Sequence, residues 1–159
     1  PEPTYVTNNI ITRCGIAGNA AMYQNAAHAR FYNNTIELSR DDGLSITGGR
    51  VLSSSVVNNI IELESAGADY LRSDSDVVLV SNNLYFGGGA YSGSDPAAVV
   101  GDPLLEIDVA LGRYDLGAGS AAIDQGTTDV PAFLTMDFRA VARPVGAGID
   151  IGAIERLAD

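Results

Sequence analysis

The chain has 159 residues, 46% of them hydrophobic, which is enough apolar material for one domain with a continuous core. Nine arginines and no lysine face twenty acidic residues, and the net charge of −11 leaves no basic stripe for a nucleic acid or an anionic membrane surface. No apolar run approaches the roughly 18 residues that cross a bilayer, and with a single cysteine no intrachain disulfide forms.

The opening Pro1-Glu2-Pro3-Thr4 has neither the charged nor the apolar region of a leader. A repeat begins almost at once, so the expectation is a portion of a longer, exported polypeptide with further coils upstream. The repeat is marked by asparagine pairs: Asn8-Asn9, Asn33-Asn34, Asn58-Asn59 and Asn82-Asn83, at steps of 25, 25 and 24 residues. Two residues before each pair stands Val6, Phe31, Val56 or Val80, and two residues after it Ile11, Ile36, Ile61 or Tyr85. These are the expected core. Further on, Gly15-Ile16, Gly43-Leu44 and Gly67-Ala68 open another short apolar stretch.

A repeat therefore holds about three short strands between Gly, Asn, Asp and Ser turns. Strand alternation points Ile36, Leu38, Leu44 and Ile46 inward and Glu37, Ser45 and Thr47 outward. Asn-Asn is also a tight-hairpin signal, which predicts antiparallel neighbours a few residues apart but not identical flanks every 25 residues. If each repeat is one coil of a parallel solenoid, equivalent residues stack about 4.8 Å apart. Asn9, Asn34, Asn59 and Asn83 then form a column, a structural ladder whose amides donate to and accept from one another, at positions that tolerate a left-handed backbone. Cys14 is expected as a small buried apolar residue.

After Phe86 the run Gly87-Gly88-Gly89-Ala90-Tyr91-Ser92-Gly93-Ser94-Asp95-Pro96 interrupts the coil, and Gly87-Gly88-Gly89 reads as a linker. The expected organisation is coils over 1–96, then a final coil and capping segment over 97–159 in one continuous domain. Residues 131–138 are expected as a short helix or strand.

The Asn-Asn-x-Ile coils resemble the pectin-lyase-like superfamily. The tail resembles bacterial choice-of-anchor Q proteins through Gly101-Asp102-Pro103-Leu104, Gly112-Arg113-Tyr114-Asp115-Leu116, Gly119 to Gly126, Arg143-Pro144 and Gly148 to Glu155. The resemblance implies an all-β fold, a right-handed parallel β-helix of about four coils of 24–25 residues plus a C-terminal cap. It further implies a secreted or cell-surface bacterial protein and, for some relatives, polysaccharide lyase or hydrolase chemistry. Arg139-Ala140 stand where the pattern has Asp-Gly, which argues against a tight turn there. Within the tail, Asp124 and Asp150 are expected to fix turns, and Arg143 and Glu155 to form an ion pair.

For catalysis, a lyase needs a base beside a cation. In Ala27-His28-Ala29-Arg30-Phe31, alternation puts His28 and Arg30 on one outward face, with Ser53, Ser55, Val77 and Leu79 on the coils beside them. Glu37 and Glu62 take equivalent outward positions one coil apart, and with Asp41, Asp42 and Glu64 nearby they are the candidates for Ca²⁺ or for a glycosidase pair. The first expectation is a non-catalytic β-helix portion that binds or processes extracellular polysaccharide. Its rivals are a lyase or hydrolase with part of its site here, and an adhesin or self-associating module.

Overall fold

The computed structural model describes residues 2–14, 19–25, 28–47, 53–73, 78–91 and 93–157. Gly15, Ile16, Ala27, Val77 and Ser92 lie outside them. The first winding carries β1 (Thr4–Thr7), β2 (Ile10–Thr12) and β3 (Met22–Gln24). The second carries β4 (Ala29–Tyr32), β5 (Thr35–Ser39) and β6 (Leu44–Ile46). The third carries β7 (Ser54–Val57), β8 (Ile60–Leu63) and β9 (Leu71–Ser73). A fourth opens with β10 (Val78–Ser81) and β11 (Leu84–Gly87), and β12 (Val99–Val100) begins a fifth. The hairpin of β13 (Leu105–Asp108) and β14 (Arg113–Leu116) follows, antiparallel.

Every pairing between windings is parallel, which removes the hairpin reading of the asparagine pairs. Three sheets result: β1-β4-β7-β10, then β2-β5-β8-β11-β12, then β3-β6-β9. Val6, Phe31, Val56 and Val80 stack in register, as do Ile11, Ile36, Ile61 and Tyr85. Together with Leu44, Ile46, Leu63 and Leu71 they form the core inside the windings, Ile11 excepted, which is only partly buried on the edge strand β2.

The asparagine ladder is present. Asn9 Nδ2 donates to Asn34 Oδ1 at 2.9 Å, Asn34 Nδ2 to Asn59 Oδ1 at 3.0 Å, and Asn59 Nδ2 to Asn83 Oδ1 at 2.9 Å. The left-handed backbone belongs to the other member of each pair: Asn8, Asn33, Asn58 and Asn82 have φ of 53 to 57°. One asparagine turns the chain and the next ties the coils together. The column ends on Asp95, whose Oδ2 accepts from Asn83 Nδ2 at 3.0 Å.

Other expectations are corrected. Leu38 does not point inward: it has φ of 49° in a bulge that shifts the register, so that Ser39 and not Leu38 lies opposite Leu63. Ser39 is fully buried, and its hydroxyl lies within hydrogen-bond distance of the carbonyls of Cys14, Asp41 and Asp42. Cys14 is exposed, its thiol directed at the Thr12 carbonyl. Gly87-Gly88-Gly89 is no linker. A Cβ on Gly87 would stand 2.0 Å from the Leu63 carbonyl oxygen, at a φ of 94°, and the chain beyond it rejoins the solenoid through the parallel bridge of Ala90 to Asp69.

Residues 131–138 form turns and one isolated bridge, Met136 to Ala142, in place of a helix or a regular strand. The turn at Asp137–Ala140 is tight despite the missing glycine: Ala140 N–H donates to the Asp137 carbonyl at 3.1 Å, and Ala140 adopts φ of 64°.

The tail lies along the side of the stack. The side chains of the turn asparagines hold it: Asn8 Nδ2 donates to the Met136 carbonyl, Asn82 Nδ2 to that of Gln125, and Asn58 both donates to and accepts from the Thr127 backbone. Leu134 packs on Tyr32 and Val57, while Ile151 and Ile154 pack on Ile60 and Leu84. Sheet positions that alternation directs outward are thereby buried, and the first two sheets are covered on both faces over these residues. Inside the tail the expected ion pair exists, Arg143 Nη1 to Glu155 Oε1 at 2.6 Å with both side chains fully buried. Asp124 accepts the Gly148 N–H, and Asp150 accepts those of Asp124 and Arg156, which gives both carboxylates the turn-fixing role.

Candidate functional site

Three outward columns remain as candidates, one on each sheet. On the first sheet, register aligns Tyr5, Arg30, Ser55 and Leu79. His28 lies in a turn just ahead of β4, and its carbonyl accepts the Thr4 N–H at 3.0 Å. The Arg30 guanidinium is folded onto Ser53, donating to its carbonyl at 2.8 Å and its hydroxyl at 3.1 Å. With Ser55 buried and Leu79 exposed next in the column, no polar cleft gathers around His28 and Arg30 among the described residues. A cation held in this way braces Ser53 at the entry to β7, and the described contacts do not join it to the imidazole.

On the second sheet, Glu37 and Glu62 follow the paired residues Ile36 and Ile61, so the column puts them one coil apart as expected. Glu37 is 8% exposed and faces a cavity of about 470 Å³ that it shares with Arg13 and with Ile107 and Asp108 of β13. Burial pushes the Glu37 carboxyl up, with the Arg13 charge pulling it back. The Glu62 carboxyl is pushed up to about 7, first by burial and then by the negative charges of Glu37 and Asp102.

Asp41 and Asp42 do not join them. Asp41 accepts the Asp42 N–H, and Asp42 accepts the Asp69 N–H at 2.8 Å while facing Arg72 at 3.7 Å. Glu64 pairs with Arg40 at 3.2 Å on the surface. Among the described residues no group of three His, Cys, Asp or Glu side chains is placed to hold a metal ion. The Ca²⁺ candidates are thus split: Glu37 and Glu62 stand on β5 and β8 of the second sheet, while Asp41 and Asp42 sit in the turn leading to the third.

The third sheet carries a column that sequence reading missed. Tyr23, Ser45 and Arg72 are in register on β3, β6 and β9, each following an inward apolar residue, Met22, Leu44 or Leu71. They face a cavity of about 300 Å³, with Asn19, Asp42 and Thr47 at its edges. Tyr23 is 64% exposed, and the hydroxyls of Thr47 and Tyr23 lie 3.2 Å apart. A flat ring, a hydroxyl pair, an amide and an Arg-Asp pair around one shallow groove can bind a molecule with both apolar faces and many hydroxyls. The available signal was a polar residue directly after the apolar residue that opens each third strand. It was masked because the turns before those strands differ in length and break the 25-residue spacing.

A family model described as the right-handed beta helix region matches residues 3–101. No curated protein and no solved structure matches the chain.

Proposed function

Because the chain belongs to the right-handed β-helix family, we propose that it is a non-catalytic portion of an exported bacterial β-helix protein that binds a neutral polysaccharide on its third sheet. The observation that carries this reading is the exposed Tyr23 ring beside Ser45, Thr47 and the Asp42-Arg72 pair. A sugar ring stacks its C–H face on the phenol, and its hydroxyls meet alternating donors and acceptors. Among the described residues that line the groove the one cation, Arg72, is matched by Asp42, which disfavours a uronate, and the net charge of −11 repels polyanions.

Export and a bacterial, pectin-lyase-like source rest on the resemblance described above. The choice-of-anchor Q type is supported by the tail, where Asp124, Arg143, Asp150 and Glu155 of the quoted runs form one connected network. A lyase or hydrolase reading has less support, since Arg30 is bonded to Ser53 and Glu37 is covered by β13.

Calorimetric titration with neutral and uronate oligosaccharides tests the proposal. Neutral oligosaccharides are expected to bind, with Tyr23→Ala lowering affinity by about tenfold or more. Binding of uronates alone, or binding indifferent to Tyr23→Ala, overturns it.

A further inference from the structure

At β12 the chain itself brings the core to an end. In the column Ile11, Ile36, Ile61 and Tyr85 the next residue by register is Val100, and there the winding stops. Val100 is 83% exposed, and the chain leaves through Gly101-Asp102-Pro103 for the β13-β14 hairpin.

Three tyrosines close the core at this point. The Tyr70 and Tyr85 ring centroids are 5.1 Å apart, those of Tyr85 and Tyr91 5.7 Å, and the three side chains line a cavity of about 300 Å³ together with Asp95. Much of the remaining wall is small, with Gly89, Gly93 and Ala98 beside Val100, so little side chain covers the rings.

Two properties of the cavity select its ligand. The first is that its hydrogen-bonding groups are already engaged. The Tyr70 hydroxyl donates to the Gly87 carbonyl at 3.0 Å and the Tyr85 hydroxyl to Asp95 Oδ2 at 3.1 Å. Asp95 Oδ2 also takes the backbone and side-chain N–H groups of Asn83, and Oδ1 takes the Ala97 N–H at 3.2 Å. The second is charge. Every one of these partners of Asp95 is neutral; among the described residues no Arg or His pairs with it and none lines the cavity. Burial and then the Asp95 charge push the Tyr91 hydroxyl up, so the field of the carboxylate reaches this ring.

We propose that this cavity binds a quaternary ammonium group, of the kind that choline carries. Aromatic faces and an uncompensated carboxylate both attract a cation. A primary ammonium has three protons to place and meets acceptors that are already taken, whereas a fully methylated nitrogen brings its charge with no hydrogen bond to make. A neutral apolar molecule of the same shape fills the space and gains nothing from Asp95. The proposal does not rest on the glycan reading of the third sheet.

The test is a proton NMR titration of the chain with choline, with dimethylbutanol as its neutral carbon isostere, and with ethanolamine as its unmethylated counterpart. Choline is expected to shift the Tyr85 and Tyr91 ring resonances and to bind at least about tenfold more tightly than either of the others. Asp95→Asn keeps a side-chain oxygen for Asn83 and Tyr85 but removes the charge, and is expected to bring choline down to the level of dimethylbutanol. Tyr91→Leu leaves the hydrogen bonds of Asp95 in place and removes one ring, and is expected to weaken choline by about tenfold.

Equal affinity for choline and dimethylbutanol overturns the proposal, since the cavity then takes any apolar body of that size. Ethanolamine binding as well as choline overturns the role of the methyl groups and the proposal with it. Ring resonances that stay unmoved by choline do the same. Both variants are checked for native circular dichroism, and an unchanged choline affinity in either folded variant overturns the assignment; where Asp95→Asn does not fold, Tyr91→Leu decides.

Discussion

The Asp95 carboxylate oxygen that receives the Asn83 side-chain amide at 3.0 Å also accepts the Asn83 backbone N–H and the Tyr85 hydroxyl, each at 3.1 Å. Burial and the Asp95 charge both push the Tyr85 hydroxyl up, which keeps it a donor at ordinary pH. Three donors thus converge on the carboxylate that stands where the next ladder asparagine would be.

Replacing that rung has a graded cost. Asp95→Ala leaves those donors without their shared acceptor and is expected to cost about 1–3 kcal/mol in urea denaturation. Asn59→Ala is expected to cost more, because Asn59 accepts twice from Asn34 and donates to Asn83, Phe31 and Val57 in a fully buried setting. Asn9→Ala, exposed and joined to one neighbouring rung, costs least. Equal values for Asn9 and Asn59 would remove burial as the source of the ladder's strength.

The Arg143-Glu155 pair is the polar centre of the tail. Burial pushes the Glu155 carboxyl up, while the N–H groups of Val145 and Asp150 and the Arg143 charge pull it down. Arg143→Met leaves that buried carboxylate facing no cation and is expected to destabilise by about 3–5 kcal/mol. Arg143→Met with Glu155→Leu is expected to cost less than the sum of the single changes, as read from a double-mutant cycle.

Glu62 gives stability a pH dependence of a definite sign. Its carboxyl sits at about 7 in the fold against an ordinary 4.5, so between those values the native state binds more proton than the unfolded chain. Its contribution is complete below 4.5, declines as pH rises through about 7, and is absent above. Glu62→Gln is expected to flatten the stability profile between pH 4.5 and 7 and to raise stability at pH 8 relative to the wild type. Thermal denaturation across that range would show it, and an unchanged slope would rule out Glu62 as the origin.

Ala140 adopts a backbone conformation that a Cβ disfavours, and it is exposed. Ala140→Gly is expected to stabilise by about 1 kcal/mol, since it relieves the left-handed strain and removes no buried contact. A loss of stability would place a contact of the methyl group above the strain.

The windings were legible because the asparagine pairs and their apolar flanks keep strict spacing. The division of labour within a pair was not, since neighbouring residues of one type look alike until φ distinguishes Asn33 from Asn34. Asp95 escaped notice because it closes the column only 12 residues after Asn83, across a Gly-rich turn, and not at the repeat distance. Leu38 fits the alternation and fails it only through the bulge. The covering of the outer faces had left a trace: Val56-Val57, Ile60-Ile61 and Leu84-Tyr85 are apolar at consecutive positions, the pattern of a strand buried on both sides. Alternation placed Arg30 and Glu37 on their outward faces, but it carries no record of what stands above a face, whether Ser53 for Arg30 or β13 for Glu37.

Because residues late in the chain grip the earliest ones, this solenoid departs from the behaviour of a simple repeat array. Asn8 bonds to Met136 across 128 positions, and Thr35 to Ala153 across 118. An array joined only through nearest neighbours frays one unit at a time from its ends. Here residues more than a hundred positions downstream fasten the first two windings, so these elements are expected to melt together, and the early windings gain that protection only after residues 136–153 have been made.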